Sequence, residues 1–308
     1  LISGYAALII FSFFVFSAIK KTIAIILFAI ISIPTIYMIA PMVHLFPVAL
    51  GLRILFVSAL LIIVIFGFTL PIFHQQNENN KWQKITGLIA IAFLVIATFN
   101  SGFSIDKKKP NSIVFVQNSD TKTSYWATYN KTLDGFTKQV FKGDYTEGNL
   151  PFVKGKSKYN TNFSFHKKTE NRNFSTSKII ITEDETIDKE RNITFTVNPK
   201  RKINRYEFFN NSEITIKNLT VNGAFYNGGK KFVANEGTLL IYQMANSDKN
   251  VTISFSIDEN VKPDFTLSEV SYDLLSNKKF SLKPRSEIMM PMPFVTNDAI
   301  ICSRKIKL

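Results

Sequence analysis

Residues 54–73 have the sequence ILFVSALLIIVIFGFTLPIF, a run of 20 residues without a formal charge. The hydrocarbon core of a bilayer requires about 20 apolar residues in a helix. A core helix of that length in a soluble protein would carry a polar face, and this run has none. The stretch therefore predicts a membrane-spanning helix, with the rest of the chain arranged around it.

Similar apolar runs occur elsewhere in the first hundred residues. Together they predict a bundle of four transmembrane helices, over residues 1–19, 22–40, 53–73 and 85–101. Lys20 and Lys21 form a tight connection between the first two helices, and Pro41 is expected to end the second. Arg53 opens the third helix, where a charge near the helix end can extend to the headgroups. The alternative for Arg53 is a buried functional ion pair.

The net charge of +14 is divided between two unlike parts of the chain. Residues 1–104 contain 5 basic and 1 acidic residue, whereas residues 105–308 contain 32 and 22. We therefore predict a transmembrane helical region, 1–104, followed by a second domain, 105–308, which is long enough for one sizeable core. Cys302 is the only cysteine, so no intrachain disulfide can form.

Short β-type runs separated by turn signals dominate residues 105–308. The predicted strands are Ser112–Gln117, Thr123–Tyr129, Asn162–His166, Lys178–Thr182, Asn192–Val197, Tyr206–Phe209, Glu213–Val221, Thr238–Gln243, Val251–Ile257 and Phe265–Tyr272. Leu133, Phe136 and Val140 share one helical face, which predicts one short helix over Thr132–Phe141. Many short strands at this spacing favour an all-β sandwich or a jelly roll.

Lysines in the connections predict the orientation in the membrane. Four spans would bring Lys20, Lys21, Lys81 and Lys84 to one face, and cytoplasmic loops are enriched in Lys and Arg. These residues predict an integral membrane protein whose β domain is extracytoplasmic, on the periplasmic or lumenal side. Lysines 107–109 flank the fourth span on the opposite side and weaken this signal.

No catalytic constellation is visible in the sequence. The three histidines, His44, His74 and His166, are far apart and have no carboxylate at metal-ligand spacing. The acidic cluster from Glu183 to Glu190 lacks the alternating oxygen ligands and the glycine of a calcium loop, so a solvated hairpin is expected there. We predict no catalytic, cofactor-binding or metal-binding residue in this chain.

Basic clusters occur at residues 107–109, 154–158, 166–168 and 200–202. Such clusters contact nucleic acid, anionic lipid headgroups or only solvent. A membrane-tethered extracytoplasmic domain rarely meets nucleic acid, so we expect no nucleic-acid partner. We expect these clusters to form a solvated basic surface, and contact with anionic lipid headgroups is the alternative. The lipid bilayer itself is expected to be a partner of the helical region.

Aromatic residues around Trp126 are expected to pack in the core, and a ligand-stacking surface is the alternative.

Residues 111–141, NSIVFVQNSDTKTSYWATYNKTLDGFTKQVF, carry a resemblance to a known family. They resemble the segment after the last membrane helix in membrane-bound zinc aminopeptidases of the M28 peptidase family. That branch includes endoplasmic-reticulum and vacuolar membrane proteases and their bacterial relatives. Tyr125–Tyr129, Leu133-Asp134 and Thr137-Lys138 carry most of the likeness. A second segment, from Met289 to Leu308, looks like the end of such chains.

The resemblance implies that a peptidase domain with two zinc ions lies upstream of the membrane helices, and none of its motif occurs here. The chain begins at Leu1 inside an apolar run, and we expect more protein before it. These residues would be the non-catalytic membrane-anchoring and C-terminal accessory part of an M28-like aminopeptidase. The upstream peptidase domain would be a partner in cis, and this segment alone would be inactive.

Two other functions remain open from the sequence. The chain is alternatively a non-enzymatic membrane protein whose exposed β-sandwich binds a ligand, a glycan or a protein partner. A piece of a transporter or an assembly factor is the third hypothesis.

Overall fold

A computed structural model describes residues 10–12, 14, 20–50, 55–76, 81–100, 102–155, 157 and 160–308. The chain divides into two compact units, Leu1–Gly102 and Phe103–Leu308. The described part of the first unit is helical. Its helices are α1 (Lys21–Leu50), α2 (Leu55–Gln76) and α3 (Lys81–Phe99).

Helices α1 and α2 pack against each other in antiparallel fashion, as two hydroxyl bonds between them indicate. The Ser58 hydroxyl in α2 donates to the Val43 carbonyl of α1 at 2.9 Å. Ser32 in α1 donates to the Phe28 carbonyl at 2.8 Å and to the Phe68 carbonyl of α2 at 3.3 Å. Serine at a helix–helix contact finds its acceptor in the neighbouring backbone without water.

The prediction of a four-span transmembrane bundle is wrong. Among the described helices, only α1 contains a stretch long and apolar enough to cross a membrane, Thr22–Pro47, with 26 residues and a mean hydropathy of 2.5. The apolar stretches Leu55–Thr69 and Lys84–Phe99 fall within 10–17 residues, short of the roughly 20 that a bilayer core requires. The predicted first span, 1–19, lies outside the described residues except for 10–12 and 14, which are helical.

Proline explains part of the difference. The sequence predicts that the second span ends before Pro41, yet α1 continues through Pro34, Pro41 and Pro47. A proline removes one backbone hydrogen bond, and a neighbouring helix that packs alongside lets the helix continue. Residues 41–50, which lie beyond the predicted end of the second span, therefore lengthen α1.

The second unit is a β-rich body, as the period-2 pattern predicts. Its strands are β1 (Lys109–Asn111), β2 (Val114–Asn118), β3 (Thr123–Thr128), β4 (Thr146–Glu147), β5 (Phe165–Thr169), β6 (Lys178–Ile187), β7 (Glu190–Asn198), β8 (Arg205–Asn210), β9 (Ile214–Val221), β10 (Ala224–Phe225), β11 (Phe232–Ala234), β12 (Gly237–Gln243), β13 (Val251–Asp258), β14 (Asp264–Ser271), β15 (Met289–Pro291) and β16 (Ala299–Lys307).

Two sheets make up most of this body. The larger has eight strands in the order β12-β8-β14-β16-β2-β3-β5-β4, and the smaller has six, β10-β9-β13-β7-β6 with β11 paired to β9. Within the larger sheet, β16 and β2 run parallel. The other parallel pair is formed by β1 and β15. The last strand of the chain thus lies in the middle of the larger sheet, between β14 and β2.

The main core lies between the two sheets. Along β7, Ile193, Phe195 and Val197 are buried, and they lie opposite β13 residues such as Phe255 and Ile253. This alternation is the period of a strand with one buried face. Side chains of β8, β14 and β16 complete the same cluster from the larger sheet, including Phe208, Leu267 and Ile306. The other face of β7 and β13 carries Ser and Thr hydroxyls.

The other half of the larger sheet is covered on both faces by loops. On one face, Val114 and Tyr129 pack with Leu150, Val153 and Phe163. The opposite face holds an aromatic cluster in which the Trp126 ring lies 5.3 Å from Phe115 and 5.2 Å from Phe280. Trp126 and Phe136 are both buried, which confirms the prediction that they belong to the core.

The predicted helix over Thr132–Phe141 is wrong. Only a 3-10 turn, Thr137–Gln139, is present in this segment. The Asp134 carboxylate accepts hydrogen bonds from the backbone N–H groups of Phe136 at 3.1 Å and Thr137 at 3.0 Å. A short side chain that binds nearby backbone donors competes with helix formation.

Candidate functional site

Metal-ligating side chains are not grouped into a site in the part of the chain that the structure describes. No group of three or more His, Cys, Asp or Glu side chains able to hold a metal occurs among the described residues. His166, in β5, has Nδ1 3.0 Å from the Gly148 carbonyl oxygen. His44 is exposed on α1, and the side chain of His74 lies outside the described part of the chain.

Cys302 is fully buried in β16. Burial raises the pKa of its thiol to about 11. A thiol becomes a nucleophile only as the thiolate, so a buried cysteine with a raised pKa is unreactive near neutral pH. Its role in this fold is packing against the aromatic cluster around Phe115.

A polar network, here called the Arg285 clamp, joins the start of the β-rich unit to two loops. Arg285 donates to the two Asp298 carboxylate oxygens at 2.6 and 2.7 Å. It also donates to the Asn111 side-chain oxygen at 2.5 Å, and its guanidinium lies 4.3 Å from the Phe136 ring centre. Such a two-point pair has fixed geometry and is stronger than a neutral hydrogen bond. The clamp therefore fixes the segment that follows the helical unit.

Asp134 extends the clamp. Its carboxylate accepts from the Asn111 amide at 3.3 Å and lies 3.4 Å from the Lys109 ammonium. Burial acts to raise the pKa of Asp134, but hydrogen bonds from Thr137 and Asn111 and the Lys109 charge outweigh it and hold the pKa below its usual value. The segments that carry the family resemblance contain Asp134, Thr137 and Asp298. Each of these side chains thus has a hydrogen-bond partner within the fold.

A second buried polar cluster surrounds Glu269 in β14. One of its carboxylate oxygens accepts from the Ser177 backbone N–H at 2.8 Å, and the other has no hydrogen-bond partner among the described residues. Burial raises the pKa of Glu269, although the nearby Arg201 and Arg304 charges oppose the shift. Beside Glu269, the hydroxyl groups of Tyr206 and Ser177 form a hydrogen bond of 2.8 Å. The Ser177, Tyr206 and Glu269 side chains are buried in the β-rich unit.

An open cavity lies on the surface of the β-rich unit, between the turn that follows β3 and strand β5. Its volume is about 630 Å³. We call it the basic cleft. It is lined by Lys131, Thr132, Leu133, Lys138, Phe141, Lys142, Gly143, Tyr145 and Phe165.

The charged side chains that line the basic cleft all have the same sign. Lys131, Lys138 and Lys142 line it, and no carboxylate is among the lining residues. None of these lysines forms an ion pair within 4 Å in the described part of the chain. The Lys167 ammonium donates to the Lys142 carbonyl and adds a fourth positive charge at the edge. A cleft with uncompensated positive charge attracts an anionic ligand.

Aromatic rings form the apolar part of the basic cleft. Tyr145 lies between the other two rings, with ring centres 6.3 Å from Phe141 and 5.3 Å from Phe165, both edge-on. Phe141 is buried, Phe165 is half-buried, and Tyr145 is 45% exposed. The cleft thus combines a ring surface with a rim of amines, which suits a ligand that is both apolar and negatively charged.

No clustering of lysines along the sequence indicates this cleft, because the lining lysines at 131, 138 and 142 are separated by other residues. Phe165 comes from a distant strand, and only the pairing of β5 with β3 brings it to the turn. One available signal was the lack of acidic residues other than Asp134 between Lys131 and Lys142.

Comparisons with known proteins add no family. No protein-family model and no curated protein matches the chain. Among solved structures, the Fcho1 mu homology domain of Danio rerio with bound Eps15 peptide is 5% identical, with 64% of this chain and 95% of that chain covered and a TM-score of 0.25. The N-terminal domain of PorA is 11% identical, with coverage of 41% and 83% and a TM-score of 0.18. At these TM-scores neither similarity supports an argument about this chain.

Proposed function

We propose that this chain is the membrane-anchoring and accessory part of an M28-like zinc-dependent aminopeptidase whose catalytic domain lies upstream. In this proposal the β-rich unit carries no catalytic residue. It acts as a folded accessory domain beside the enzyme, and α1 tethers the chain to a membrane.

The observation that carries the proposal is the position of the two resembling segments. Residues 111–141 supply β2 and β3, and the second segment, from Met289 onward, supplies β15 and β16. Strand β16 pairs in parallel with β2, so that Ala299 lies opposite Val114. Strands from two segments that are distant in the chain are thus neighbours in one sheet, as expected if both segments belong to one structural unit.

The membrane tether rests on α1. Its stretch Thr22–Pro47 is long and apolar enough to cross a membrane, and only 22% of its most apolar window is buried. The core helix of a soluble protein would be mostly buried, whereas a signal sequence passes the same test of length and composition. Because Lys20 and Lys21 precede this stretch, the preference of basic residues for the cytoplasm favours an extracytoplasmic β-rich unit.

Two measurements test the function. The 308-residue chain, purified in detergent and supplied with zinc, is expected to show no cleavage of aminoacyl p-nitroanilides above a boiled control. Chelator-sensitive turnover would contradict the assignment of catalysis to an upstream domain. The native protein, isolated from its membrane by an antibody to the β-rich unit, should contain zinc and cleave these substrates. A native protein without either property would contradict the aminopeptidase origin.

Orientation is tested by labelling intact cells. Glu185 is exposed in β6, and Glu185→Cys should react with a membrane-impermeant maleimide if the β-rich unit is extracytoplasmic. The native Cys302 is fully buried and gives little background. Labelling that requires permeabilised cells would reverse the orientation.

A non-enzymatic ligand-binding protein is the second candidate function. The basic cleft favours it, because such a cleft can serve binding whether or not a peptidase domain precedes this chain.

A further inference from the structure

We propose that the basic cleft binds an acidic peptide segment in extended conformation, which adds to the outer edge of β5. This site does not depend on the aminopeptidase proposal, since every residue that forms it lies in the β-rich unit. Three features carry the inference: the charge of the rim, the rings inside the cleft and an unpaired strand edge beside them.

The charge of the rim selects an anionic partner. Lys131, Lys138 and Lys142 line the cleft without a carboxylate partner among the described residues. Asp144 follows in sequence, but its side chain is not part of the lining. Glutamate or aspartate side chains on a bound segment would supply the missing negative charges, and each such pair would be exposed and sensitive to salt.

The rings select a partner with apolar side chains beside its charges. Tyr145 and Phe165 present ring surfaces inside the cleft. In an extended segment, successive side chains point to opposite faces, so a peptide can direct alternate residues toward the rings. Acidic and apolar residues in alternation would match the rim and the rings together.

The edge of β5 offers backbone groups to such a segment. Strand β4 pairs with β5 only at Thr146–His166 and at the next residue pair, and the bond from the Gly148 N–H to the Ser164 carbonyl closes this short ladder. Beyond His166, strand β5 continues through Lys167, Lys168 and Thr169, and no described strand pairs with these residues on the side opposite β3. Peptides commonly bind by adding a strand to an edge of this kind.

The position of the rings favours a peptide over a membrane surface. A protein that lies on a bilayer inserts a protruding apolar face among the headgroups. Here Phe141 is 3% exposed and Phe165 half-buried, and only Tyr145 projects substantially. One exposed ring in a cleft lined by lysines presents little apolar surface for insertion into a lipid layer, whereas an extended peptide can contact the rings and the lysines together.

The test measures binding of a labelled peptide to the full chain in phosphatidylcholine nanodiscs. The probe is a seven-residue peptide of alternating glutamate and valine, followed by fluorescence anisotropy. Lys138→Gln combined with Lys142→Gln should weaken binding about tenfold, as expected for two exposed charge pairs. The matched control, Lys230→Gln with Lys231→Gln, removes the same charge from another exposed site and should leave affinity within about twofold of the parent.

Two further probes separate the proposal from its rivals without altering the protein. A peptide with N-methyl groups on alternate amides should bind at least about tenfold more weakly, because it cannot pair with a strand edge. Equal binding of that peptide, or equal weakening by both lysine pairs, would overturn the proposal. Lysine-dependent binding of short-chain phosphatidylserine without binding of the peptide would assign the cleft to lipid and would also overturn it.

Discussion

Replacing Arg285 by alanine should destabilise the β-rich unit more than the loss of an ordinary surface arginine. Arg285 is 9% exposed and Asp298 19% exposed, so the bidentate pair is largely shielded from water. Removing one partner of a buried pair typically destabilises by about 3–5 kcal/mol. The stacking of the guanidinium on Phe136 would be lost as well. In a unit of this size, each kcal/mol of lost stability lowers the melting temperature by about 2–4 °C. The expected fall in melting temperature is therefore about 6–20 °C.

The assay is thermal unfolding of the full chain in detergent, followed by near-ultraviolet circular dichroism. The control is Arg172→Ala, because Arg172 is 42% exposed and lies 3.8 Å from the exposed Glu170. Such a pair contributes at most about 1 kcal/mol. Asp298→Asn in the Arg285→Ala background should add little, since the two residues act as one unit and asparagine tolerates the positive φ of 50° at this position. Equal shifts for Arg285→Ala and Arg172→Ala would refute the clamp.

Other expected outcomes concern the core, the charge network and the thiol. Trp126→Ala should destabilise the β-rich unit by about 3–5 kcal/mol, whereas Tyr145→Ala should change its melting temperature little; an unchanged melting temperature for Trp126→Ala would contradict its burial. The folded-state pKa of Asp134 is lowered, so its carboxylate stabilises above the unfolded pKa of about 3.9 and loses this effect as the pH falls through the folded value. The gap in melting temperature between Asp134→Asn and the parent should accordingly narrow below about pH 4; a constant gap would contradict the charge-based account. Cys302 should resist iodoacetamide at pH 8 until the chain unfolds, whereas an introduced Lys230→Cys should react at once.

Local pattern predicted most of the strands and few of the helix limits. The alternation of apolar and polar residues around Phe195 and Phe255 identified β7 and β13, because a half-buried strand imposes that period directly. The acidic segment from Glu183 was expected as a solvated hairpin, and β6 and β7 form it with Asp188 and Lys189 at the turn. Hydropathy alone overstated the membrane spans, because an apolar composition does not fix where a helix begins or ends.

The central strand β16 escaped prediction for a physical reason. Its second half contains Arg304 and Lys305, which are unusual in the middle of a sheet. Arg304 donates to the Ser177 carbonyl, while Lys305 is exposed and lies 3.9 Å from Asp264. Both partners come from segments distant in sequence, so no local pattern indicates that these charges are accommodated.

The basic cleft and the Arg285 clamp both show that a sequence does not reveal whether a charged residue has a partner in the fold. In the clamp, Asp134 belongs to the segment that resembles the peptidase family, and the structure gives its carboxylate hydrogen-bond and ion-pair partners. In the cleft, Lys138 belongs to the same segment, yet Lys138 and Lys142 form no ion pair among the described residues and lie beside the partly exposed Tyr145 ring. A charged residue with all its partners in the fold stabilises that fold, whereas one without partners, next to a cavity, is available to a ligand. Among the described residues, the lysines that line the basic cleft meet this second condition, which is why the binding proposal is placed there.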